Sequence, residues 1–296
     1  MTSTRAETVS PGLLRDWPLP GPGSSKHSRG HVLVIGGARS TPGAVMLAGL
    51  AALRVGAGVL ALAADESVAP TLAVAVPEAS VLGVSYSDAE GGAARELADR
   101  LADVDAVLLG PGLDEPLSTA RLLSLLAEQV TDSPAVLDAF ALGVLADPDH
   151  LIDRDALPAE LILTPNDEEA RRLLAEGPDD SDRVDIADAA AVAVELAHRY
   201  GAVVAYQRHV ADPHDGRWFI AAGNAGLGTS GSGDVLAGAI TGLLARGATP
   251  AQATCWATYL HAVAGDHLAS RIGRLGFLAR ELLPELPAIL TELEVS

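Results

Sequence analysis

The sequence predicts an α/β domain whose central sheet is mostly parallel and is covered by helices on both faces. Short runs rich in Val, Leu and Ala alternate with helical segments along nearly the whole chain, and such alternation is typical of a parallel sheet. Hydrophobic residues make up 49% of the 296 residues but aromatic residues only 3%. The core is therefore expected to consist of small aliphatic side chains, which allow helices to pack closely on a sheet.

The elements follow from this alternation in chain order. HVLVIGG (31–37) is a β-branched run that ends in two glycines, and it predicts a buried strand followed by a turn. The helix 41–58 and the strand 59–64 then complete a β–α–β unit. The further predicted strands are 106–110, 135–139, 161–164, 202–207 and 217–222. The further predicted helices are 94–103, 116–129, 141–146, 167–176, 186–201, 233–246, 250–270 and 279–294.

The chain is predicted to hold one domain. Residues 1–25 are rich in Pro, Gly and Ser and predict an irregular N-terminal lead-in. Residues 26–296 show no internal repeat and no linker that would divide them, so they predict a single α/β domain.

Composition narrows the class of partner. The formal net charge of −19 argues against nucleic acid and against anionic membrane surfaces, because the long-range field repels phosphate. A short-range phosphate site made of backbone N–H groups stays compatible with this charge. The only cysteine, Cys255, lies in an apolar helical stretch and predicts a buried thiol in a reducing compartment. We expect a cytoplasmic protein, since no stretch resembles a signal peptide or a membrane span.

The stretch GNAGLGTSGSGDVLAGAITG (223–242) is the strongest candidate site. It places one acid, Asp234, among glycines at the start of an uncharged helix. Asp234 is either a helix-start acid beside a flexible loop or a carboxylate next to a phosphate cradle. A carboxylate at the end of a buried helix costs free energy unless it has a partner or a task. This favours the second interpretation, in which Asp234 exchanges a proton with a bound small molecule.

Four further strand ends carry polar or glycine-rich motifs. The glycine pair after 31–35 resembles a nucleotide loop but matches neither a dinucleotide nor a P-loop pattern. The Gly110–Gly112 turn is expected to expose backbone N–H groups, although a plain turn explains it better when it is taken alone. Asp138 is positioned either to cap the next helix or to touch a ligand. Asn166 and Glu169 can face one way at the start of a helix, and a local helix cap explains them equally well.

The eight histidines show no spacing typical of a metal site. His261, in YLHAVAG, is interpreted as a core or interface residue rather than a ligand.

Taken in order, these segments resemble the ADP/ATP-dependent NAD(P)H-hydrate dehydratase family. The resemblance rests on KHSRGHVLVIGGARSTPGA, RVGAGVL, LLGPGL, VLDAFAL, LTPNDEEARRLL and, most specifically, GNAGLGTSGSGDVLAGAITGLLARG. It implies a ribokinase-like three-layer α/β/α fold, a homo-oligomer (dimer or tetramer), and ADP or ATP with Mg²⁺ as cofactors. The implied reaction is the repair of hydrated nicotinamide cofactors: the added hydroxyl is phosphorylated, and elimination restores NADH or NADPH.

The resemblance also implies roles for individual residues. Asp234 would be the catalytic base and would touch the hydrate, whose pocket Ala38, Gly112 and Asn166 would line. Glu169 would be linked to Mg²⁺. The residues near the nucleotide would be Asn224, Gly226, Gly231, Ser232 and Gly233.

The chain departs from the family pattern at several of these segments. Asn166 stands where the family has the histidine of His-Pro-Gly-Glu, and Phe140 and Gly143 stand where it has an acid and an amide. The family's nucleotide-facing lysine falls near Tyr206 and Gln207.

Lys26, the only lysine, lies at the other end of the sequence from that strand, and Thr41 replaces a tyrosine. Two alternatives to a dehydratase stay open. One is an ATP-dependent small-molecule (carbohydrate-type) kinase, since TPNDEE also resembles a kinase Asn-x-x-Glu element. The other is a non-catalytic nucleotide-binding relative.

Overall fold

The structure is a computed structural model that describes residues 6–21, 23–85, 92–130, 132–147, 157–177 and 180–295. Its strands are β1 (Glu7–Val9), β2 (His31–Ile35), β3 (Val59–Asp65), β4 (Ala79–Val84), β5 (Ala106–Leu109), β6 (Ala135–Leu137), β7 (Leu161–Leu163), β8 (Val203–Tyr206), β9 (His209–Ala211) and β10 (Arg217–Ile220). Its helices are α1 (Pro11–Asp16), α2 (Pro42–Arg54), α3 (Ala69–Ala75), α4 (Gly92–Leu101), α5 (Pro116–Gln129), α6 (Phe140–Leu145), α7 (Asp167–Leu174), α8 (Ala189–Tyr200), α9 (Ser232–Ala245), α10 (Pro250–Arg271), α11 (Ala279–Leu282) and α12 (Glu285–Val295).

Within the described residues the strands form one ten-stranded sheet in the order β1-β10-β9-β8-β7-β6-β5-β2-β3-β4. β9 runs antiparallel to its neighbours β8 and β10, and the other neighbouring pairs are parallel. The predicted mostly parallel sheet is confirmed.

Helices cover both faces of this sheet, as alternate residues of β2 illustrate. Val32 and Val34 pack in a cluster with α2, α9, α10 and α12. Leu33 and Ile35 pack in a second cluster with α4, α5, α7 and α8. Because successive side chains of a strand point to opposite faces, a central strand between two helical layers must be apolar at every position. This is why the predicted strands read as continuous aliphatic runs.

The predicted irregular lead-in over residues 1–25 is contradicted only at residues 7–16, since residues 17–21 and 23–25 form no strand or helix. Residues 7–9 form β1, which pairs in parallel with β10, and residues 11–16 form α1. The Ser10 hydroxyl caps α1 by accepting the Leu13 N–H at 3.2 Å. A three-residue strand and a six-residue helix carry too little periodicity to be read from sequence. Contacts with the rest of the fold hold them in place, and residues 1–5 and 22 lie outside the described residues.

Three other elements were missing from the prediction. These are α3, β4 at the sheet edge, and β9, which lies between the predicted strands 202–207 and 217–222 and pairs with β8 and β10. Among the described residues, no helix has both the length and the apolar character needed to span a membrane.

Candidate active site

The motifs found in the sequence converge at one edge of the sheet. The loops after β2, β5, β6 and β7 leave the carboxyl ends of neighbouring parallel strands, where ligands bind in sheets of this kind. Asp234 lies at the amino end of α9, and the charge of Asp138, at the end of β6, contributes to raising the pKa of Asp234. The site below is built from these five segments.

The two glycine loops contact each other directly. The N–H of Gly37 donates to the carbonyl oxygen of Pro111 at 2.8 Å, and the N–H of Ala38 donates to that of Gly112 at 2.8 Å. Thr41 donates its hydroxyl to the same Gly112 oxygen at 2.7 Å. Ala38 and Gly112, both predicted to line the hydrate pocket, are therefore adjacent.

The amino end of α9 is built by two glycines with different tasks. Gly231 precedes the helix with φ of 87°, and a Cβ there would lie 2.7 Å from Leu47 Cδ1. A Cβ on Gly233 would meet nothing within 4 Å, so this residue faces open space. Within the described residues, the N–H groups of Gly233 and Asp234 have no acceptor. They are first-turn donors, which point out of a helix and attract anions.

Asp234 is a half-buried carboxyl group beside these donors. Burial, with a smaller contribution from the charge of Asp138, raises the pKa of Asp234 to about 7. A carboxylate with a pKa in this range is a stronger base than an exposed one and changes protonation near neutral pH. This electrostatic setting fits a group that takes up a proton.

Asp138 lies behind this group at the end of β6. It is 5% exposed and accepts the Thr164 hydroxyl at 2.7 Å. Burial raises the pKa of Asp138 to about 6, although the bond from Thr164 lowers it. The residue that precedes α6 as its cap is Ala139, and no side-chain bond caps that helix. Of the two predicted roles of Asp138, capping of α6 is therefore excluded, and contact with a ligand stays a prediction.

Asn166 and Glu169 form the local helix cap that was the simpler interpretation of their spacing. Asn166 Oδ1 accepts the N–H groups of Glu168 at 2.9 Å and of Glu169 at 3.0 Å. Glu169 Oε2 accepts the N–H of Asn166 at 2.9 Å, which completes a capping box at α7. The Asn-x-x-Glu element that pointed to a kinase therefore has a structural role in α7.

The same two residues line a cavity of about 290 Å³ together with Phe140, Gly143 and Arg172. Burial, followed by the charges of Asp138 and Glu168, raises the pKa of Glu169 to about 7. Within the described residues, no group of three or more His, Cys, Asp or Glu side chains could hold a metal ion.

The predicted nucleotide residues Asn224 and Gly226 are engaged inside the protein. Asn224 Oδ1 accepts the N–H of Gly226 at 2.8 Å, and its Nδ2 donates to Asp266 at 2.9 Å. A Cβ on Gly226 would lie 2.5 Å from Phe277 Cε1. Both residues shape the loop before α9, and contact with a nucleotide stays a prediction for them.

Ser232 also directs its side chain inward. Its hydroxyl lies 2.8 Å from Nε2 of His261, and both residues are buried. Burial lowers the pKa of His261 to about 4, so the ring is neutral. The interpretation of His261 as a core residue is confirmed. The Ser232 hydroxyl is engaged with His261 and its N–H with the Thr229 carbonyl, so contact of Ser232 with a nucleotide stays a prediction.

Polar side chains replace the expected lysine at the end of β8. The hydroxyl of Tyr206 and the Nε2 of Gln207 donate to Asp167 Oδ1 at 2.9 and 3.0 Å. Gln207 has φ of 53°, a backbone conformation that residues other than glycine rarely adopt. Lys26 packs against Gly58, which precedes β3, so it lies at the opposite edge of the sheet from the site.

Sequence reasoning missed two residues that organise the site, Thr164 and Asp266. Asp266 accepts the N–H of Gly223 and the side chain of Asn224, both at 2.9 Å. The signal for Asp266 was present, because it is an isolated acid in the apolar segment YLHAVAGDHLAS. Thr164 gave no signal that distinguishes it from an ordinary strand-end threonine.

Comparison with known proteins identifies the relatives of this chain. It is 43% identical to the ADP-dependent (S)-NAD(P)H-hydrate dehydratase of Xanthomonas campestris, over 99% of both chains. It is 37% identical to the bifunctional NAD(P)H-hydrate repair enzyme of Moorella thermoacetica, over 90% of this chain and 50% of that enzyme. The chain thus spans about half the length of the bifunctional relative.

Solved structures agree with the fold. The ADP/ATP-dependent NAD(P)H-hydrate dehydratase of Bacillus subtilis, co-crystallised with ATP and Mg²⁺, matches with a TM-score of 0.80 and 27% identity over 98% of this chain and 99% of that one. A ribokinase-like protein of Enterococcus faecalis matches with a TM-score of 0.81 at 23% identity, over 97% of this chain and 96% of that one. The predicted ribokinase-like α/β/α fold is confirmed. A family model for NAD(P)H-hydrate dehydratase matches residues 32–288, and the chain belongs to this family.

Proposed function

We propose that this protein catalyses ADP- or ATP-dependent dehydration of NAD(P)H hydrate and so repairs damaged nicotinamide cofactors. The observation that carries the proposal is Asp234, a half-buried carboxyl group with a raised pKa beside unpaired first-turn N–H groups. A base and an anion site in contact are what phosphoryl transfer to a hydroxyl requires. The 43% identity to an ADP-dependent dehydratase over the whole chain supports the same activity.

The proposed reaction has two steps, phosphoryl transfer to the substrate hydroxyl and then loss of the new phosphate. The nucleotide phosphates bind the N–H groups of Gly233 and Asp234, with Gly231 and Ser232 shaping the cradle. Asp234 accepts the proton of the substrate hydroxyl as that oxygen bonds to the terminal phosphorus of the nucleotide, and the bond from this phosphorus to the bridging oxygen breaks, so that the shortened nucleotide leaves. The new phosphate then leaves with the carbon–oxygen bond electrons, while the adjacent ring carbon loses a proton and the ring double bond returns.

The hydrate ring is placed against the contact between the two glycine loops. Ala38 and Gly112 offer a close backbone surface there, and Asn166 borders the neighbouring cavity. Asn166 has its side-chain oxygen occupied by the helix cap, so its amide nitrogen is the group left for a substrate. The loop of Asn224 and Gly226 adjoins the nucleotide in this arrangement.

Mg²⁺ would arrive with the nucleotide. Glu169 is the carboxylate that would help to hold it, since one of its oxygens is fixed by the Asn166 N–H and the residue lines the cavity. Phosphate oxygens and water would supply most of the remaining ligands, as is usual for Mg²⁺ that binds together with a nucleotide. A bound Mg²⁺ would neutralise phosphate charge during transfer.

The test is direct turnover. Enzymatically hydrated NADH or NADPH is incubated with the protein, Mg²⁺ and either ADP or ATP, and recovery of near-ultraviolet dihydronicotinamide absorbance is followed. We expect recovery that depends on the nucleotide and on the protein. Binding of ADP or ATP without recovery would instead favour the non-catalytic interpretation, and phosphorylation of an added carbohydrate would favour the kinase.

A homo-oligomer and a cytoplasmic location stay predictions from the resemblance and from composition. Light scattering coupled to gel filtration measures the first, and a dimer or tetramer is the expected result.

A further inference from the structure

One face of α10 lies along the whole glycine-rich loop that precedes Asp234. Asp266, on this face, accepts two hydrogen bonds from the start of the loop, at Gly223 and Asn224. At the middle of the loop, a Cβ on Gly265 would lie 2.6 Å from Leu227. At its end, His261 meets the Ser232 hydroxyl at 2.8 Å. His261 and Gly265 are four residues apart and therefore share a face of α10, and Asp266 follows Gly265 directly at the side of that face.

The contact with His261 is the one nearest the chemistry. Ser232 is the first residue of α9, and Asp234 is the third. Ser232 is 3% exposed and His261 8%, so water has little access to this bond. A hydrogen bond between two buried groups fixes their relative position, because breaking it leaves both unsatisfied.

The Ser232–His261 contact lies at the residue that directly precedes the two unpaired N–H groups of the cradle. The Ser232 N–H donates to the Thr229 carbonyl at 3.1 Å, and its side chain is held by His261, so both sides of this residue are pinned. The following residues, Gly233 and Asp234, keep their N–H groups unpaired within the described part of the chain. Rotation of the first turn of α9 would move these donors and the Asp234 carboxyl together.

We infer that His261 is a positioning residue, which holds the first turn of α9 through the Ser232 hydroxyl and thereby sets the geometry of Asp234 and of the anion cradle. This inference rests on the proposed function for its effect on turnover. Its effect on nucleotide binding is independent of which reaction follows.

The test compares three variants. His261→Leu replaces the ring with an apolar side chain that leaves Ser232 without its partner. His261→Gln places an amide close to the position of Nε2, and Ser232→Ala removes the other half of the contact. We expect the Leu and Ala variants to lose about 10- to 100-fold in kcat, and the Gln variant to stay within about threefold of wild type. The affinity for ADP, measured by calorimetry, should weaken in the same order.

The double variant His261→Leu/Ser232→Ala tests whether the two residues act as one unit. Both single changes remove the same contact, so kcat of the double variant should fall no further than that of the worse single variant. Thr258→Val is the matched control, because Thr258 is buried on α10 and its hydroxyl bonds within the helix, to Thr254, at 2.7 Å. It should lower the melting temperature and leave kcat and ADP affinity unchanged.

The outcomes separate the two claims. Wild-type kcat and ADP affinity in a folded His261→Leu or Ser232→Ala variant would overturn the positioning role, as would a Gln variant no better than Leu. If the wild-type protein binds ADP but forms no NAD(P)H, the proposed function fails. The predicted order of ADP affinities among the variants would still support the positioning role in that case.

Discussion

Asp234 occupies a position that costs the folded protein free energy. Its pKa is raised to about 7 because burial and Asp138 disfavour the charged form. In the unfolded chain the same group titrates near its ordinary value, so the folded state binds more protons in the interval between the two pKa values. Asp234 therefore lowers stability as pH rises through this interval, and the penalty is complete above the folded pKa.

Asp234→Asn should remove this penalty. We expect the ligand-free variant to be about 1–2 kcal/mol more stable than wild type at about pH 8 and nearly equal at about pH 4, after allowance for partial exposure. Urea unfolding at the two pH values measures the difference. Asp103→Asn, which removes an exposed carboxylate outside the site, is the control and is unfolded at the same two pH values. An Asp234→Asn variant that is less stable at the higher pH would contradict the assigned electrostatics.

Gly231 and Gly233 should respond differently to a methyl group. Gly231→Ala forces a side chain into φ of 87° and toward Leu47, so we expect a loss of about 1–3 kcal/mol in unfolding free energy. Gly233→Ala meets open space in a helix, where alanine is favoured by up to about 1 kcal/mol, and stability should hold or rise.

The Gly233→Ala methyl group would, however, enter the surface assigned to the phosphates. Titration calorimetry with ADP should show weaker binding for this stable variant. Unchanged affinity would place the phosphates elsewhere.

At the scale of single elements, α7 has a cap whose first residue, Asn166, was also predicted to bind substrate. Serine caps a helix about as well as asparagine does, but it lacks the amide nitrogen. Asn166→Ser should therefore keep the unfolding free energy within about 0.5 kcal/mol, whereas Asn166→Ala should lose about 1 kcal/mol. If the amide nitrogen binds the hydrate, KM for the hydrate rises in both variants. A wild-type KM in Asn166→Ser would restrict this residue to capping.

The accuracy of the sequence predictions also differs by element. Apolar strands such as β2, and α9, which carries no charge after Asp234, were predicted because burial on all sides dictates their composition. β1 and α1 were missed, since pairing with β10 and contacts with distant helices stabilise them rather than any local pattern. In the site, Asp234 was predicted because a carboxylate at the end of a buried helix costs free energy unless it has a partner or a function. The contact of His261 with Ser232 could be found only in the structure, because the two residues are 29 positions apart in the chain.

At the scale of the whole molecule, a strongly acidic chain of net charge −19 is proposed to bind two anionic ligands. The long-range field opposes their approach, while backbone N–H groups act only at short range. Added salt screens the field, so KM for the nucleotide should fall as ionic strength rises from low values, with kcat nearly constant. A KM that rises with salt would mean that local cations, rather than backbone donors, dominate binding.

The central claim is that Asp234 is the base of a nucleotide-dependent dehydratase. The most direct measurement is turnover of NADPH hydrate by wild type and by Asp234→Asn, with ADP affinity measured on the same preparations. The account predicts a loss of at least about 1,000-fold in kcat for the variant, with ADP affinity within about threefold of wild type. Equal turnover by the two proteins would contradict it.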